Sequence, residues 1–137
     1  MSESEGSIAD GWMATNGMRV VAATPDAVEI EWTVGKQHLQ PFGIVHGGVH
    51  CGAIETVCSY GATLAAKARG HQGGVVGLEN HTSFIRAVRI GAVLRCRARP
   101  ITRGRTTQVW EADVRDDQDR VVATGRVRLL AIAVGDV

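Results

Sequence analysis

The chain has 137 residues, 45% of them hydrophobic and 21% charged, enough for one globular domain with a proper core and too few for two. Fifteen lysines and arginines stand against fourteen acids for a net charge of +1, a balance that argues against a nucleic-acid binder. Seventeen glycines against three tryptophans, two phenylalanines and one tyrosine point to tight turns and close packing rather than a large aromatic interior, and no apolar run approaches the roughly 20 residues of a membrane span.

Residues 1–7 are acidic and polar and resemble a flexible tail, taken to run through residue 11, rather than a signal peptide. Residues 8–14 contain Trp12 and Met13 and are expected to form a short turn or helix, either a hydrophobic clip for the N-terminus or a cover over a pocket. Residues 17–23 and 27–34 make two strands about Thr24-Pro25-Asp26. In the second, Val28, Ile30 and Trp32 alternate with Glu29, Glu31 and Thr33, the pattern of a half-buried strand.

A polar loop and glycine turn (Gln40-Pro41-Phe42-Gly43, then His46-Gly47-Gly48) lead into a helix over residues 49–69. It contains no proline, and Gly70 supplies its stop. Gly52, Ala53, Gly61, Ala62, Ala65, Ala66 and Ala68 make that helix smooth enough for other backbones to approach, and Glu55 is its one acid.

Residues 75–86 are extended, and residues 93–102 alternate, with Val93, Arg95, Arg97, Arg99 and Ile101 opposite Leu94, Cys96, Ala98 and Pro100. Residues 106–115 and 120–132 form a last hairpin about Asp116-Asp117-Gln118-Asp119. Two strands, a long helix and four strands with short turns predict an α+β domain, an antiparallel sheet with one helix on its concave face. Three cysteines, Cys51, Cys58 and Cys96, have neither disulfide nor zinc-ribbon spacing, which implies reduced thiols and a cytoplasmic protein.

The helix start offers unpaired N–H groups at the positive end of its dipole, with no side chain at Gly47 or Gly48. Those glycines either hold an oxyanion or simply permit a tight turn. Glu55 is a nucleophile, a general base, or a structural helix charge; Ser59, one turn on, orients water or bonds to its own backbone. His46 and Gln40 polarise a carbonyl or merely brace the loop. Nine residues separate His46 from Glu55, about 13 Å along the helix and half a turn around it, so both cannot touch one carbon from the same chain. A two-fold dimer, with the helix start of one copy beside the acid of the other, solves this. His46 and His50 are spaced i, i+4 for a metal, but no third ligand has an obvious spacing, so neither a metal nor another cofactor is expected. Cys51 and Cys58 lack a helical histidine partner and are expected to be packing residues.

These residues resemble the hotdog-fold acyl-CoA thioesterases, nearest the branch of hydroxybenzoyl-CoA, phenylacetate-pathway and dihydroxynaphthoyl-CoA thioesterases. The likeness runs over residues 17–130 and is most specific at Gln40-Pro41-Phe42-Gly43, His46-Gly47-Gly48 and Glu55, with Val75-Val76-Gly77-Leu78-Glu79 and Gln108-Val109-Trp110 in support. The resemblance implies a sheet wrapped around the helix over residues 12–137 and a dimer with two shared sites, usually a dimer of dimers. It further implies Glu55 as the catalytic carboxylate, the Gly47 amide as the thioester-oxygen donor, help from Gln40 and His46 of the partner, and Ser59 near the acid. The N-terminus is expected to be shorter than in many relatives. Coenzyme A would bring phosphates, for which Arg86, Arg89 and the turn Arg103-Gly104-Arg105 are candidates, whereas Arg95, Arg97 and Arg99 are expected on a wet sheet face. Two other functions fit the same fold: an enoyl-thioester hydratase or dehydratase, and a non-catalytic acyl-CoA binding module.

Overall fold

The computed structural model describes residues 10–136. Of the expected tail, residues 1–9 lie outside the described residues; Asp10 and Gly11 lead into helix α1 (Trp12–Thr15). The elements then run β1 (Arg19–Thr24), β2 (Ala27–Thr33), α2 (Gly47–Ala68), β3 (Val75–Phe84), β4 (Val93–Arg103), β5 (Thr107–Arg115) and β6 (Val121–Ala131), close to the segments that the apolar alternation predicts. All neighbouring strands are antiparallel, in the order β1-β2-β4-β5-β6-β3, so β1 and β3 form the edges.

The strands form where they do because every second residue is apolar. Val28, Ile30 and Trp32 of β2, Leu94, Cys96 and Ala98 of β4, and Trp110, Ala112 and Val114 of β5 are buried on one face. The alternation in β4 holds as far as Pro100, where a register shift between Pro100 and Thr102 breaks it. Helix α2 buries Val49, Ala53, Ile54, Val57, Cys58, Ala62 and Ala65 against that face. Because α2 touches all six strands, the sheet must curl around it. This is the hotdog architecture.

Two of the small residues of α2, Gly52 and Gly61, are approached by indole rings. A Cβ on Gly61 would lie 2.5 Å from the Trp110 ring, and one on Gly52 would lie 2.6 Å from the Trp12 ring. Trp110 is fully buried and is held by its own chain of bonds: its Nε1 donates to Gln108 Oε1 (2.8 Å), and Gln108 Nε2 donates to the Ala62 carbonyl (3.0 Å). Trp12 is 41% exposed while its neighbour Met13 is buried, so α1 acts as a clip with Met13 in the core and Trp12 lying over α2.

The two glycines therefore respond differently to the same substitution. Alanine gains up to about 1 kcal/mol of helix propensity at either site. At Gly61 the methyl meets a ring that cannot move, and overpacking of about 1–3 kcal/mol prevails. Thermal denaturation should show a lowered Tm for Gly61→Ala and an unchanged or raised Tm for Gly52→Ala, where Trp12 can swing outward.

Candidate active site

The start of α2 is a cap built by a histidine. His46 has extended backbone (φ −62°, ψ 132°), and its Nδ1 accepts the Gly48 N–H at 2.7 Å. The Gly47 N–H has no acceptor among the described residues, and no acid stands in the first turn to neutralise the dipole. A free, positively polarised donor is thus left at the helix end.

The loop before it is pinned from several directions. Leu39 bridges Val45, the Gln40 N–H donates to Ile44 O (2.9 Å), and the Gly43 N–H donates to Gln40 O (2.9 Å), with Gly43 at φ +80°. Gln40 Oε1 accepts the Phe42 N–H, which leaves its Nε2 as the open end of the amide. Behind the loop sits His38, fully buried, which the sequence reading did not single out. Its Nδ1 accepts the Gly35 N–H (2.9 Å), so the proton sits on Nε2, which donates to Asn16 O (2.8 Å). The His46 N–H donates to His38 O (2.8 Å), so this anchor also holds the cap.

A cleft of about 360 Å³ opens at this point, lined by Gln40, Ile44, Gly47, His50, Phe84 and Arg86. A Cβ on Gly47 would come within 2.8 Å of the Phe84 ring at the end of β3. A larger cleft of about 560 Å³ lies among Arg95, Arg97, Arg99 and nearby acids. Two of its arginines are engaged with carboxylates, Arg95 with Glu31 (2.8 Å) and Arg99 with Glu111 (2.9 Å), on the wet charged face the alternation predicts.

Glu55, half-buried, points at the other end of β3. Its Oε1 accepts from Asn80 Nδ2 (3.1 Å), and a Cβ on Gly77 would overlap its Oε2. The same Asn80 amide donates to Cys51 O (3.1 Å), while Asn80 Oδ1 accepts from Thr82 Oγ1 (2.6 Å). Asn80 escaped the sequence reading. The signal available was an unbroken polar run over residues 79–83 within an extended segment, which does not by itself say which of those side chains turn inward. Ser59 follows Glu55 by one helical turn, and its carbonyl accepts from Thr63 Oγ1 (2.8 Å).

The structure brings Gln40, His46, Gly47, Arg86 and Arg89 to one end of α2. Arg86 lines the cleft, and a Cβ on Gly43 would lie 3.8 Å from Arg89 Nη1. Arg103, Gly104 and Arg105 sit at the opposite end. Arg103 donates to Asp26 Oδ1 (2.7 Å) and Pro25 O (2.9 Å), and Gly104 O accepts from Arg69 (2.9 Å). The candidate phosphate ligands thus form two groups in one chain, because the turn between β4 and β5 packs beside the end of α2.

Burial first, then the charges of Glu55 and Glu111, push the Cys58 thiol up, and burial does the same to Cys96, so both stay protonated. The three cysteines are free. His46 uses its Nδ1 for the cap while His50 is buried beside Phe84, their rings 6.4 Å apart in the latter pair, and among the described residues no three or more His, Cys, Asp or Glu are placed to hold a metal. Among the described residues no helix is long and apolar enough to cross a membrane.

Residues 42–123 match the thioesterase superfamily. The chain is 41% identical over 113 residues to a Mycobacterium tuberculosis protein provisionally designated an esterase, covering 82% of this chain and 80% of that one. It is 32% identical over 102 residues to the 1,4-dihydroxy-2-naphthoyl-CoA hydrolase of Escherichia coli, covering 74% and 72%. A thioesterase structure from Haemophilus influenzae superposes with a TM-score of 0.83 at 30% identity, over 99% of this chain and 93% of that one. The chain therefore belongs to the thioesterase superfamily and is a hotdog-fold hydrolase.

His50 gives the site a measurable acid sensitivity. Burial pushes its imidazole down to about 4 from the usual 6.5, and its Nδ1 is buried without a partner among the described residues. The unfolded chain takes up this proton as pH falls through about 6.5, whereas the folded chain does so only near 4. Stability is therefore lost as pH falls across that window, by roughly 3 kcal/mol in all. Tm measured against pH should fall between pH 6.5 and 4, and His50→Leu should flatten that part of the curve.

Proposed function

We propose that this protein hydrolyses acyl- or aroyl-CoA thioesters to free acid and coenzyme A, at a site shared by two copies of the chain. One observation carries this reading. Glu55 lies over Gly77 near the start of β3, and Gly47 lies against Phe84 at its end, while β3 is an edge strand, paired among the described residues only with β6. Pairing β3 antiparallel with its counterpart across a two-fold axis near mid-strand sets Gly77 of one copy opposite Phe84 of the other. That places Glu55 of one chain next to the partner's Gly47. Leu78, Phe84 and Ile85, 44%, 57% and 57% exposed, give such an edge apolar surface to bury. In a single chain the helix alone holds Glu55 and Gly47 about 12 Å apart.

In this arrangement the partner's Gly47 donates its N–H to the thioester oxygen, where the helix dipole stabilises the charge that develops on attack. The loss of such a donor typically costs about 3 kcal/mol of barrier. The partner's Gln40 offers its open Nε2 to the same oxygen, and the partner's His46 keeps the amide in place through the cap. Glu55 either takes a proton from the attacking water, so that collapse of the tetrahedral species releases the free acid and the coenzyme A thiolate, or attacks the carbonyl itself, so that the thiolate leaves a mixed anhydride which water then cleaves to the free acid and the Glu55 carboxylate. Ser59, one turn along, holds the water. Arg86 and Arg89 at the cleft, with Arg103, Gly104 and Arg105 at the far end of the helix, meet the phosphates. The relatives named as hydrolases of 1,4-dihydroxy-2-naphthoyl-CoA support a coenzyme A thioester as substrate. A dimer of dimers in the cytoplasm, with reduced cysteines, completes the proposal.

Glu55→Gln should lower kcat by about a thousandfold with little change in KM on a panel of aryl and short-, medium- and long-chain acyl-CoA thioesters. Gly47→Pro removes the donor while suiting the first helical position, since His46 is already extended and the exposed Phe84 ring can move aside. Each variant alone should be inactive. Co-expressed, they form mixed dimers in which one of the two sites is intact, and about a quarter of wild-type turnover should return. Wild-type activity in Glu55→Gln would remove the acid from the mechanism. Absence of recovery on mixing would place both groups in one chain and end the shared-site reading.

A further inference from the structure

We infer that Asn80, itself fixed by Thr82, is the positioning residue for Glu55, committing one carboxylate oxygen to a hydrogen bond and leaving the other for the reaction. The inference rests on Glu55 being the reactive carboxylate and specifies how that carboxylate is aimed. All three bonds of the Asn80 amide have a fixed sense. Cys51 O and the Glu55 carboxylate can only accept, so both take Nδ2–H donors, at 3.1 Å each. Thr82 Oγ1 donates to Oδ1 at 2.6 Å, which closes the network and prevents the amide from turning over. Asn80 therefore ties β3 to the backbone of α2 one turn before the acid and to the acid itself.

The strand is shaped to make this possible. Gly77 and Asn80 are three residues apart, and in a regular strand residues an odd number apart face opposite sides. Both nevertheless meet Glu55. The register explains it: Gly77 pairs with Leu129 and Glu79 with the next residue, Arg128, so Leu78 is an extra residue in a bulge that returns the strand to the inner face. Gly77 then forms a floor without a side chain beneath Oε2, where a Cβ would intrude, while Asn80 holds Oε1 from the side. Glu79 and His81 turn to the opposite, exposed face, where they line a separate cleft with Ser83 and Arg126. On its own helix the thiols nearest Glu55 in sequence are Cys51, one turn before, and Cys58, kept protonated by burial and then by the charges of Glu55 and Glu111.

The test is a pH profile of kcat and KM for each variant, on the fastest-hydrolysed member of a panel of acetyl-, octanoyl-, palmitoyl- and benzoyl-CoA. Asn80→Ala should lower kcat about 10–100-fold and leave KM nearly unchanged, as expected for loss of an interaction that orients a reacting group. Asn80→Asp sets a second carboxylate beside Glu55. Like charges raise the apparent pKa of such a pair, so the acidic limb should move up by about one pH unit or more. A residue that served folding alone would lower Tm while kcat per folded molecule stayed at the wild-type value. Thr82→Val should lower kcat several-fold and Thr82→Ser should restore it, which keeps the test decisive if Asn80→Ala fails to fold. If Glu55→Gln is inactive while Asn80→Asp keeps the wild-type acidic limb and Thr82→Val keeps wild-type kcat, the positioning role is overturned and the Glu55 assignment survives. If Glu55→Gln is fully active, both fall.

Discussion

Everything in this molecule depends on one helix being held inside a sheet that it touches with every strand. The requirement is steric before it is chemical. A helix surrounded by six strands needs small residues where large rings cross it, and Gly52 and Gly61 occupy those crossings beneath Trp12 and Trp110. The same packing fixes both the height and the rotation of α2. The helix start is thereby placed at one end of β3 and the mid-helix acid at the other.

Polar groups inside such a core need partners, and the structure supplies them selectively. His38, Gln108 and Trp110 use their nitrogens and oxygens to lock loops and strands together, which is an architectural use of side chains that resemble catalytic ones in a linear sequence. Among the described residues two buried nitrogens are left without a partner, Trp32 Nε1 in the core and His50 Nδ1, the latter on an imidazole beside the cleft. The charged outer face works on a different scale. The pairs of Arg95 with Glu31 and Arg99 with Glu111 lie at the solvent surface, where screening leaves such pairs little effect on stability; they keep the sheet face wet and unattractive to apolar partners.

Two features place the proposed chemistry at β3. The strand is an open edge, and it carries a bulge next to Gly77. An edge that offers backbone groups to a second copy, and a bulge that turns Gly77 and Asn80 toward the same carboxylate, give one strand both the assembly role and the aiming role in the proposal. The N-cap of α2 supplies the complementary half, since His46 takes up the Gly48 amide and the amide of Gly47 stays available.

Much of the fold was legible in the chain because the signals are local. Alternation at Val28, Ile30 and Trp32 or at Leu94, Cys96 and Ala98 is a property of consecutive residues, and so are the proline-free helix, its glycine stop and the spacing of His46, Gly47 and Glu55. Tertiary structure decided what lies beyond that range. It set Arg103 against Asp26 at the far end of α2 from Arg86, made His38 an anchor behind the cap, and brought Asn80 to Glu55 across 25 residues. The last of these needed a one-residue bulge, which reverses the facing of a strand while leaving its composition unchanged. A sequence records which side chains are present and their local period, but only the register between strands determines which of them meet.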